Sequence, residues 1–298
     1  MEIIKTIKEL ALLLASYRQE GRQIAFVPTM GALHEGHLSL VRQAAGLGGI
    51  TVCSIFVNPT QFNDPEDLKK YPRPLEQDIA LLESVDCDVL FLPEVGEMYG
   101  VEKDSGAKEN GWGAQEADWK IDLGTLDQVL EGKERPGHFR GVTQIVYKLF
   151  EAVKPDWAIF GQKDLQQFLV IQSMIDQKQL SVKLIMGETV REPEGLAMSS
   201  RNVRLSPLGR KQALVLFQTL REVKILIPEW VAGRISLQEI RKKAATRLQQ
   251  AEGVRLEYFA LCNRDTLLDA DEDTPPEKLV ALVAAWVDGV RLIDNVVL

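Results

Sequence analysis

The chain has 298 residues, of which 45% are hydrophobic and 26% charged, and its net charge at pH 7 is −8. This length predicts one large or two ordinary domains, and the composition is that of a globular protein. The charge disfavours nucleic acid as the main partner, because phosphates require a basic surface. The longest apolar run, Leu279 to Val287, is far shorter than the roughly 20 residues of a membrane-spanning helix.

The amino terminus has no basic region followed by a long apolar core, so it is not expected to be a signal peptide. The three cysteines, Cys53, Cys87 and Cys262, match neither a disulfide framework nor a zinc motif. We therefore expect a cytoplasmic protein whose cysteines are reduced and belong to the core.

Apolar spacing alternates between the helical and the strand period through the first two thirds of the chain. In chain order the pattern predicts a helix with Ile3, Ile7, Leu10 and Leu14 on one face, a strand at 24–27, a helix at 38–45, a strand at 50–57, a helix at 75–82, a strand at 89–92, a helix at 145–153, a strand at 157–160, a helix at 165–175 and a strand at 182–186. This alternation predicts an α/β fold with a parallel sheet wrapped by helices. Its ligands should lie at the carboxyl ends of the strands.

The last third of the chain has a different pattern. Ser206 precedes a proline at a predicted helix start, and Ser236 with Glu239 has the spacing of a capping box. Strands are predicted at 254–258 and 279–287. We place the domains at 1–187 and 188–298, the second being a smaller α+β domain. The stretch from Gly100 to Leu123 has no clear period and is predicted to be a long loop or an insertion.

Histidines stand at the end of the first predicted buried strand. His34 and His37 lie in VPTMGALHEGHLSL, after a turn with Gly31 and before a helix. Imidazoles and backbone N–H groups at a helix amino terminus suit a phosphate. The alternatives are two exposed helix-cap histidines or half of a metal site, although zinc would need further ligands. His138, in RPGHFRGV, fits a site residue or a loop residue equally well.

HEGH is also similar to the HIGH-type signature of the nucleotidyltransferase superfamily, which pairs it with a distal Lys/Ser-rich loop. EGLAMSSRN is such a loop, in which Ser199, Ser200 and Arg201 can bind a triphosphate and stabilise its charge during transfer. No P-loop motif is present, and the GLGG segment precedes a strand instead of following one, so it is not a dinucleotide fingerprint.

Two other strand ends carry polar side chains. SIFVNPTQF presents Asn58 and Gln61, and FGQKDLQQF presents Lys163, Asp164 and Gln167. Glutamines suit the hydroxyl and carboxylate groups of a small polar acid, and a lysine suits transferring phosphates. The alternative is that these are ordinary loop residues and that the Lys-Asp pair is a surface ion pair.

Together these segments closely resemble the pantothenate synthetase (pantoate–β-alanine ligase) family, and the resemblance covers nearly the whole chain. It rests on VPTMGALHEGHLSL, SIFVNPTQF, YPRPLEQD, RPGHFRGV, FGQKDLQQF, TVREPEGLAMSSRN and RLIDN. It implies a cytosolic homodimer with a Rossmann-like amino-terminal domain and a small carboxyl-terminal lid. ATP and pantoate would give pantoyl adenylate and pyrophosphate, and β-alanine would then displace AMP to give pantothenate.

The resemblance also implies roles for residues. Pantoate would contact Gln61, Gln167 and Asn58, and Gln61 would also lie near β-alanine. The catalytic residues would be His34, His37 as proton donor, Lys163 and Arg201, with Mg²⁺ delivered by ATP and no metal site of the protein's own. The implied ATP contacts are Met30, His34, His37, Gly161, Lys163, Asp164, Val190, Met198, Ser199, Ser200 and Arg201.

The sequence departs from the family pattern at Tyr99-Gly100, where a proline is expected after the tyrosine, and from Val101 to Trp119, which is longer than the usual loop. Three other interpretations remain. A different nucleotidyltransferase is disfavoured by the two glutamines, and a nucleotide sensor should have lost Lys163 or His37. A tRNA-charging relative should carry a basic face, which the net charge of −8 opposes.

Overall fold

The computed structural model describes residues 1–62, 65–100 and 119–298. They form two compact units: unit 1 contains residues 1–127, 132–161 and 167–187, and unit 2 contains residues 128–131, 162–166 and 188–298, each within the described ranges. The sequence-based division at 187/188 assigned the short segments 128–131 and 162–166 to the first domain, whereas their contacts group them with unit 2.

Nine strands and ten helices are described in these ranges. The strands are β1 Glu2–Ile4, β2 Ile24–Thr29, β3 Ile50–Ile55, β4 Val89–Phe91, β5 Trp157–Gly161, β6 Lys183–Gly187, β7 Val254–Asn263, β8 Leu279–Val287 and β9 Val290–Val297. The helices are α1 Ile7–Gln19, α2 Glu35–Ala45, α3 Pro65–Lys70, α4 Leu75–Glu83, α5 Val95–Tyr99, α6 Leu130–Glu134, α7 His138–Val153, α8 Leu165–Lys178, α9 Pro207–Val231 and α10 Leu237–Gln250.

Unit 1 is built on a six-stranded sheet in the order β1-β4-β3-β2-β5-β6. Every neighbouring pair in it is parallel. Its strands are apolar on both sides: Ile24 and Phe26 join a core with α1, α7 and α8, whereas Ala25 and Val27 join a second core with α2 and α4. This confirms the predicted parallel sheet with helices on both faces.

Unit 2 contains the antiparallel sheet β7-β8-β9 and one apolar core that includes residues of α9 and α10. The predicted caps are present, since Ser206 accepts from Gly209 N–H, and Ser236 and Glu239 form a capping box. The smaller α+β character of this region is therefore confirmed. The strand pattern did not predict β9, because Arg291, Asp294 and Asn295 interrupt its apolar residues.

Several predicted boundaries differ from the structure, and two of them have a local physical reason. The helical spacing predicts that Ile3 belongs to the first helix, but Ile3 lies in β1 and pairs with Leu90 of β4. The helix begins only after Thr6, whose side chain accepts from Glu9 N–H and caps α1. The strand predicted at 50–57 ends at Ile55, because the chain then enters the short 3₁₀ turn Pro59–Gln61.

The long loop predicted from Gly100 to Leu123 lies largely outside the described residues, which resume at Trp119. Cys53, Cys87 and Cys262 are free and buried, as predicted for core cysteines. Within the described ranges, no helix is both long enough and apolar enough to span a membrane.

Candidate functional site

The turn between β2 and α2 carries the two histidines of HEGH. Gly31 and Ala32 both have left-handed backbone conformations, with φ of 77° and 50°. Successive N–H groups in such a turn converge and form a concave anion-binding surface. The sequence predicted that backbone N–H groups near the histidines would be available to a phosphate.

Asp78 of α4 binds the N–H groups of this turn, whereas phosphate binding at the amino terminus of α2 stays a prediction. The Asp78 carboxylate accepts from Ala32 N–H at 2.8 Å and from Leu33 N–H at 2.7 Å, and the residue is 2% exposed. Burial raises the pKa of Asp78, while the two N–H groups oppose that rise. A Cβ at Gly31 would lie 3.0 Å from the Asp78 carboxylate, so close approach and positive φ both favour glycine there.

The two imidazoles cap α2 together. Gly36 N–H donates to His34 Nδ1 at 3.2 Å, and His34 N–H donates to His37 Nδ1 at 3.3 Å. The ring centroids are 4.0 Å apart. Because Nδ1 is the acceptor in each neutral ring, each ring carries its proton on Nε2. Both rings therefore have the tautomer whose Nε2 can donate a hydrogen bond.

Helix α2 packs closely against the end of β6. Gly187, at the end of β6, pairs in register with Gly161 at the end of β5. A Cβ at Gly187 would overlap Leu40 Cδ2 of α2, whereas a Cβ at Gly161 would stay 3.9 Å from Leu40. The absence of a side chain at Gly187 therefore lets the helix that carries the histidines approach the strand end.

Gln61 is held by a buried network at the end of β3. Asn58 is 1% exposed, and its Nδ2 donates to Gln61 Oε1 at 3.3 Å and to Gly141 O at 3.2 Å. Its Oδ1 accepts from Tyr99 Oη at 2.7 Å. Gln61 Nε2 donates to Met30 Sδ at 2.9 Å. Asn58 therefore orients the Gln61 amide in this structure, and its predicted contact with pantoate stays a prediction.

His138 contacts the backbone carbonyl group of Gln61. Its Nδ1 lies 2.9 Å from Gln61 O, and the histidine is 6% exposed. The sequence left the role of His138 open, and the structure places it against the segment that carries Gln61.

Gln167 lies in the first turn of α8 and is half-buried.

In unit 2, Lys163 and Asp164 lie in the 3₁₀ turn Gln162–Asp164. Lys163 Nζ is 3.5 Å from Asp164 Oδ2, and the two side chains are 20% and 48% exposed. Asn295 of β9 donates through Nδ2 to Gln162 O and to Lys163 O, both at 2.9 Å. The lysine is thus largely covered, and a buried amide holds the backbone that carries it.

The segment 190–201 of unit 2 folds back on itself. Met198 N–H donates to Val190 O at 3.0 Å, and Arg191 pairs with Ala197 in an antiparallel bridge. Ser199 then accepts from Arg201 N–H at 3.3 Å and caps the 3₁₀ turn Ser200–Arg204.

The two units divide the predicted site residues between them. Met30, His34, His37, Asn58, Gln61, Gly161 and Gln167 belong to unit 1, and Lys163, Asp164, Val190, Met198, Ser199, Ser200 and Arg201 belong to unit 2. Across the described part of the chain, no group of three or more His, Cys, Asp or Glu residues could hold a metal ion.

Sequence reasoning missed Asp78, Tyr99 and Asn295 as supporting residues. Asp78 lies in the YPRPLEQD run and Asn295 in RLIDN, two segments that carry the family resemblance but no predicted site residue. A polar residue whose partners are backbone groups far along the chain leaves no spacing signal in the sequence.

Comparisons with known proteins give one consistent family. The family described as pantoate-β-alanine ligase matches residues 2–297. A pantothenate synthetase from Thermotoga petrophila is 43% identical over 298 residues, covering 100% of both chains. The crystal structure of the pantothenate synthetase from Thermus thermophilus has a TM-score of 0.85 at 38% identity, covering 100% of this chain and 99% of that one.

A third comparison includes ligands. The pantoate-β-alanine ligase from Francisella tularensis, solved in complex with β-γ ATP and β-alanine, has a TM-score of 0.74 and 32% identity. The match covers 100% of this chain and 97% of that one.

Proposed function

The chain belongs to the pantoate-β-alanine ligase family and is therefore a ligase, and we propose that it condenses pantoate with β-alanine in two steps. In the first step the pantoate carboxylate attacks the α-phosphorus of ATP, which gives pantoyl adenylate and pyrophosphate. In the second the β-alanine amine attacks the pantoyl carbonyl carbon, and AMP leaves to give pantothenate. The observation that carries the proposal is the family match over residues 2–297.

Chemical reasoning supports the adenylate. A carboxylate acylates an amine poorly because an oxide-like oxygen is a poor leaving group, whereas a mixed anhydride with AMP has a good one. The protein then needs no covalent nucleophile. It must align the reactants and stabilise the charge that develops on the departing pyrophosphate.

The described residues can supply both contributions. Gln61, held by Asn58 and His138, and Gln167 orient pantoate, and Gln61 also serves β-alanine. His34 and His37 donate through Nε2 to phosphate oxygens, with His37 as the proton donor. The remaining ATP contacts are proposed for Met30, Gly161, Lys163, Asp164, Val190, Met198, Ser199, Ser200 and Arg201, of which Lys163 and Arg201 stabilise the developing negative charge.

We propose that Mg²⁺ arrives bound to ATP, since Mg²⁺ retains several waters and is commonly held by one or two carboxylates together with substrate phosphates. When bound, it neutralises phosphate charge. We further propose that the protein acts in the cytoplasm as a homodimer, on the basis of the family it belongs to.

Exchange of labelled pyrophosphate into ATP tests the first step. Enzyme, Mg²⁺, ATP and labelled pyrophosphate are incubated with and without pantoate, always without β-alanine. We expect label in ATP only when pantoate is present, because the adenylate forms reversibly and stays bound. Adding β-alanine should then yield pantothenate and AMP in equal amounts.

Two other outcomes contradict the proposal. A nucleotide sensor would give no exchange under any condition, and a kinase-like reaction would release ADP. Exchange that requires β-alanine would exclude an adenylate formed before the amine binds.

A further inference from the structure

The side chain of Asn295 is bonded entirely to the turn that contains Lys163. Its Nδ2 donates to Gln162 O and to Lys163 O, both at 2.9 Å, and its Oδ1 accepts from Gln162 Nε2 at 3.2 Å. The residue is 2% exposed. One buried amide therefore makes three hydrogen bonds with two consecutive residues of unit 2.

Asn295 is itself fixed in place by its neighbours. Its N–H donates to Asp294 Oδ1 at 2.8 Å, and its carbonyl oxygen accepts from Arg191 Nη2 at 3.3 Å. Arg191 also makes a bidentate pair with the Asp294 carboxylate at 2.6 and 2.9 Å, and its guanidinium stacks on Phe217 at 3.7 Å from the ring centroid. Bidentate, largely buried pairs of this kind restrict the conformations of both side chains.

From these contacts we infer that Asn295 is a positioning residue for Lys163, acting through the backbone of the turn Gln162–Asp164. The inference rests on the proposed function, in which Lys163 stabilises the transferring phosphates. A lysine ammonium is a point charge on a flexible stem, so the position of its backbone decides where the charge can reach. Burial raises the pKa of Asp294, next to Asn295, and the charge of Lys163 is a smaller influence that opposes this rise, after that of Arg191.

A double-mutant cycle between Asn295 and Lys163 tests this role. Asn295→Ala should lower the rate of pantoate-dependent pyrophosphate exchange on the order of 10- to 100-fold, as a displacement of about 1 Å does at a reacting centre. The KM for pantoate should change less than about twofold, because the proposed pantoate contacts do not involve the turn. In the residual exchange that a Lys163→Ala background retains, Asn295→Ala should cost less than about twofold, since residues that act through one another are not additive.

Thr219→Val is the matched control. Thr219 is a buried residue of unit 2 at 1% exposure, and its hydroxyl has no hydrogen-bond partner among the described residues. Removing it should leave exchange unchanged in both backgrounds. If Asn295→Ala fails to fold, Gln162→Ala replaces it. That change removes only the bond to Asn295 Oδ1, so the loss should be smaller and should again vanish without Lys163.

The same cycle is measured for the dissociation constant of ATP by titration calorimetry, which requires no turnover. Asn295→Ala should weaken ATP binding on the order of tenfold with Lys163 present and hardly at all without it. Equal losses in the two backgrounds would show a general structural role and overturn the inference. Absence of pantoate-dependent exchange in the unaltered protein would overturn the proposed function, while the ATP cycle would still decide the role of Asn295.

Discussion

His37 has two roles at one position: it caps α2, and it is the proposed proton donor. Its Nδ1 accepts from His34 N–H, which leaves the proton on Nε2. This dual use means that stability and activity must be separated experimentally, since a substitution removes both functions together.

We expect His37→Ala to lower the rate of pyrophosphate exchange on the order of 10²–10³-fold, the cost of losing one donor to a developing oxyanion. Loss of the capping bond should reduce the free energy of unfolding by about 0.5–2 kcal/mol. Both are measured on the same preparations, by exchange assay and by urea denaturation.

Thr6→Ala provides the matched control, because Thr6 caps α1 through Glu9 N–H at 3.2 Å and has no proposed role in the reaction. It should lose a similar amount of stability and keep its exchange rate. If Thr6→Ala and His37→Ala lose stability and activity in the same proportion, His37 is only a cap.

Gln167 is proposed to select the acid instead of the nucleotide. Gln167→Ala should raise the KM for pantoate by about 5- to 150-fold, which corresponds to roughly 1–3 kcal/mol for polar groups left unpaired in the complex. The KM for ATP should stay within about twofold. Gln172→Ala, on the same helix and bonded to Asp176, should change neither value. Equal effects on pantoate and ATP would refute the assignment.

The sequence identified residues with proposed chemical roles better than the residues that hold them. His34, His37, Gln61 and Lys163 lie in motifs at strand ends, where residue type and position already indicate chemistry. Tyr99, by contrast, donates to Asn58, 41 positions away. No local pattern encodes such a partnership, because it depends on how the elements pack.

At the scale of elements, Asp78 links α4 to the turn between β2 and α2. The N–H groups of Ala32 and Leu33 donate to a carboxyl group from another element of the same chain. The sequence predicted the turn and the helix correctly, yet it could not show which group would fill the concave surface. The periodicity of apolar residues indicates which face of a helix or strand is buried. It does not indicate which polar groups of different elements form hydrogen bonds.

The raised pKa of Asp78 predicts a specific pH dependence. Above about pH 4 the carboxyl is ionised in the unfolded chain, whereas the folded protein retains the proton until a higher pH. The folded state therefore binds more protons in this interval, and the contribution of Asp78 to the free energy of unfolding falls as pH rises from about 4 through the folded pKa.

Urea denaturation of the unaltered protein and of Asp78→Asn at a series of pH values from about 4 to 7 measures this contribution as their difference. As pH rises, the free energy of unfolding of the unaltered protein should fall relative to that of Asp78→Asn. The difference should level off once the folded carboxyl is ionised. A difference that moves the opposite way would mean that the two N–H bonds lower the pKa more than burial raises it.

At the scale of the whole molecule, the fold class was predictable and the grouping of segments was not. Alternating strand and helix periods indicate a parallel sheet, and six parallel strands are present. Residues 162–166, however, belong to unit 2, although they directly follow a strand of unit 1. Their grouping depends on contacts such as those of Asn295, more than a hundred positions later, and sequence spacing carries no information about them.

Lys163 provides the last prediction, because its placement in unit 2 matters only if its charge acts on the transferring phosphates. Lys163→Ala should nearly abolish pantoate-dependent pyrophosphate exchange, since the cation contributes most when charge builds on the leaving pyrophosphate. Lys163→Arg should also lose most of the rate, because a planar guanidinium does not replace a compact ammonium. Lys183→Ala, at an exposed position in β6, should retain the full rate. Full exchange in Lys163→Arg would show that positive charge alone suffices at this position, and full exchange in Lys163→Ala would remove the lysine from the mechanism.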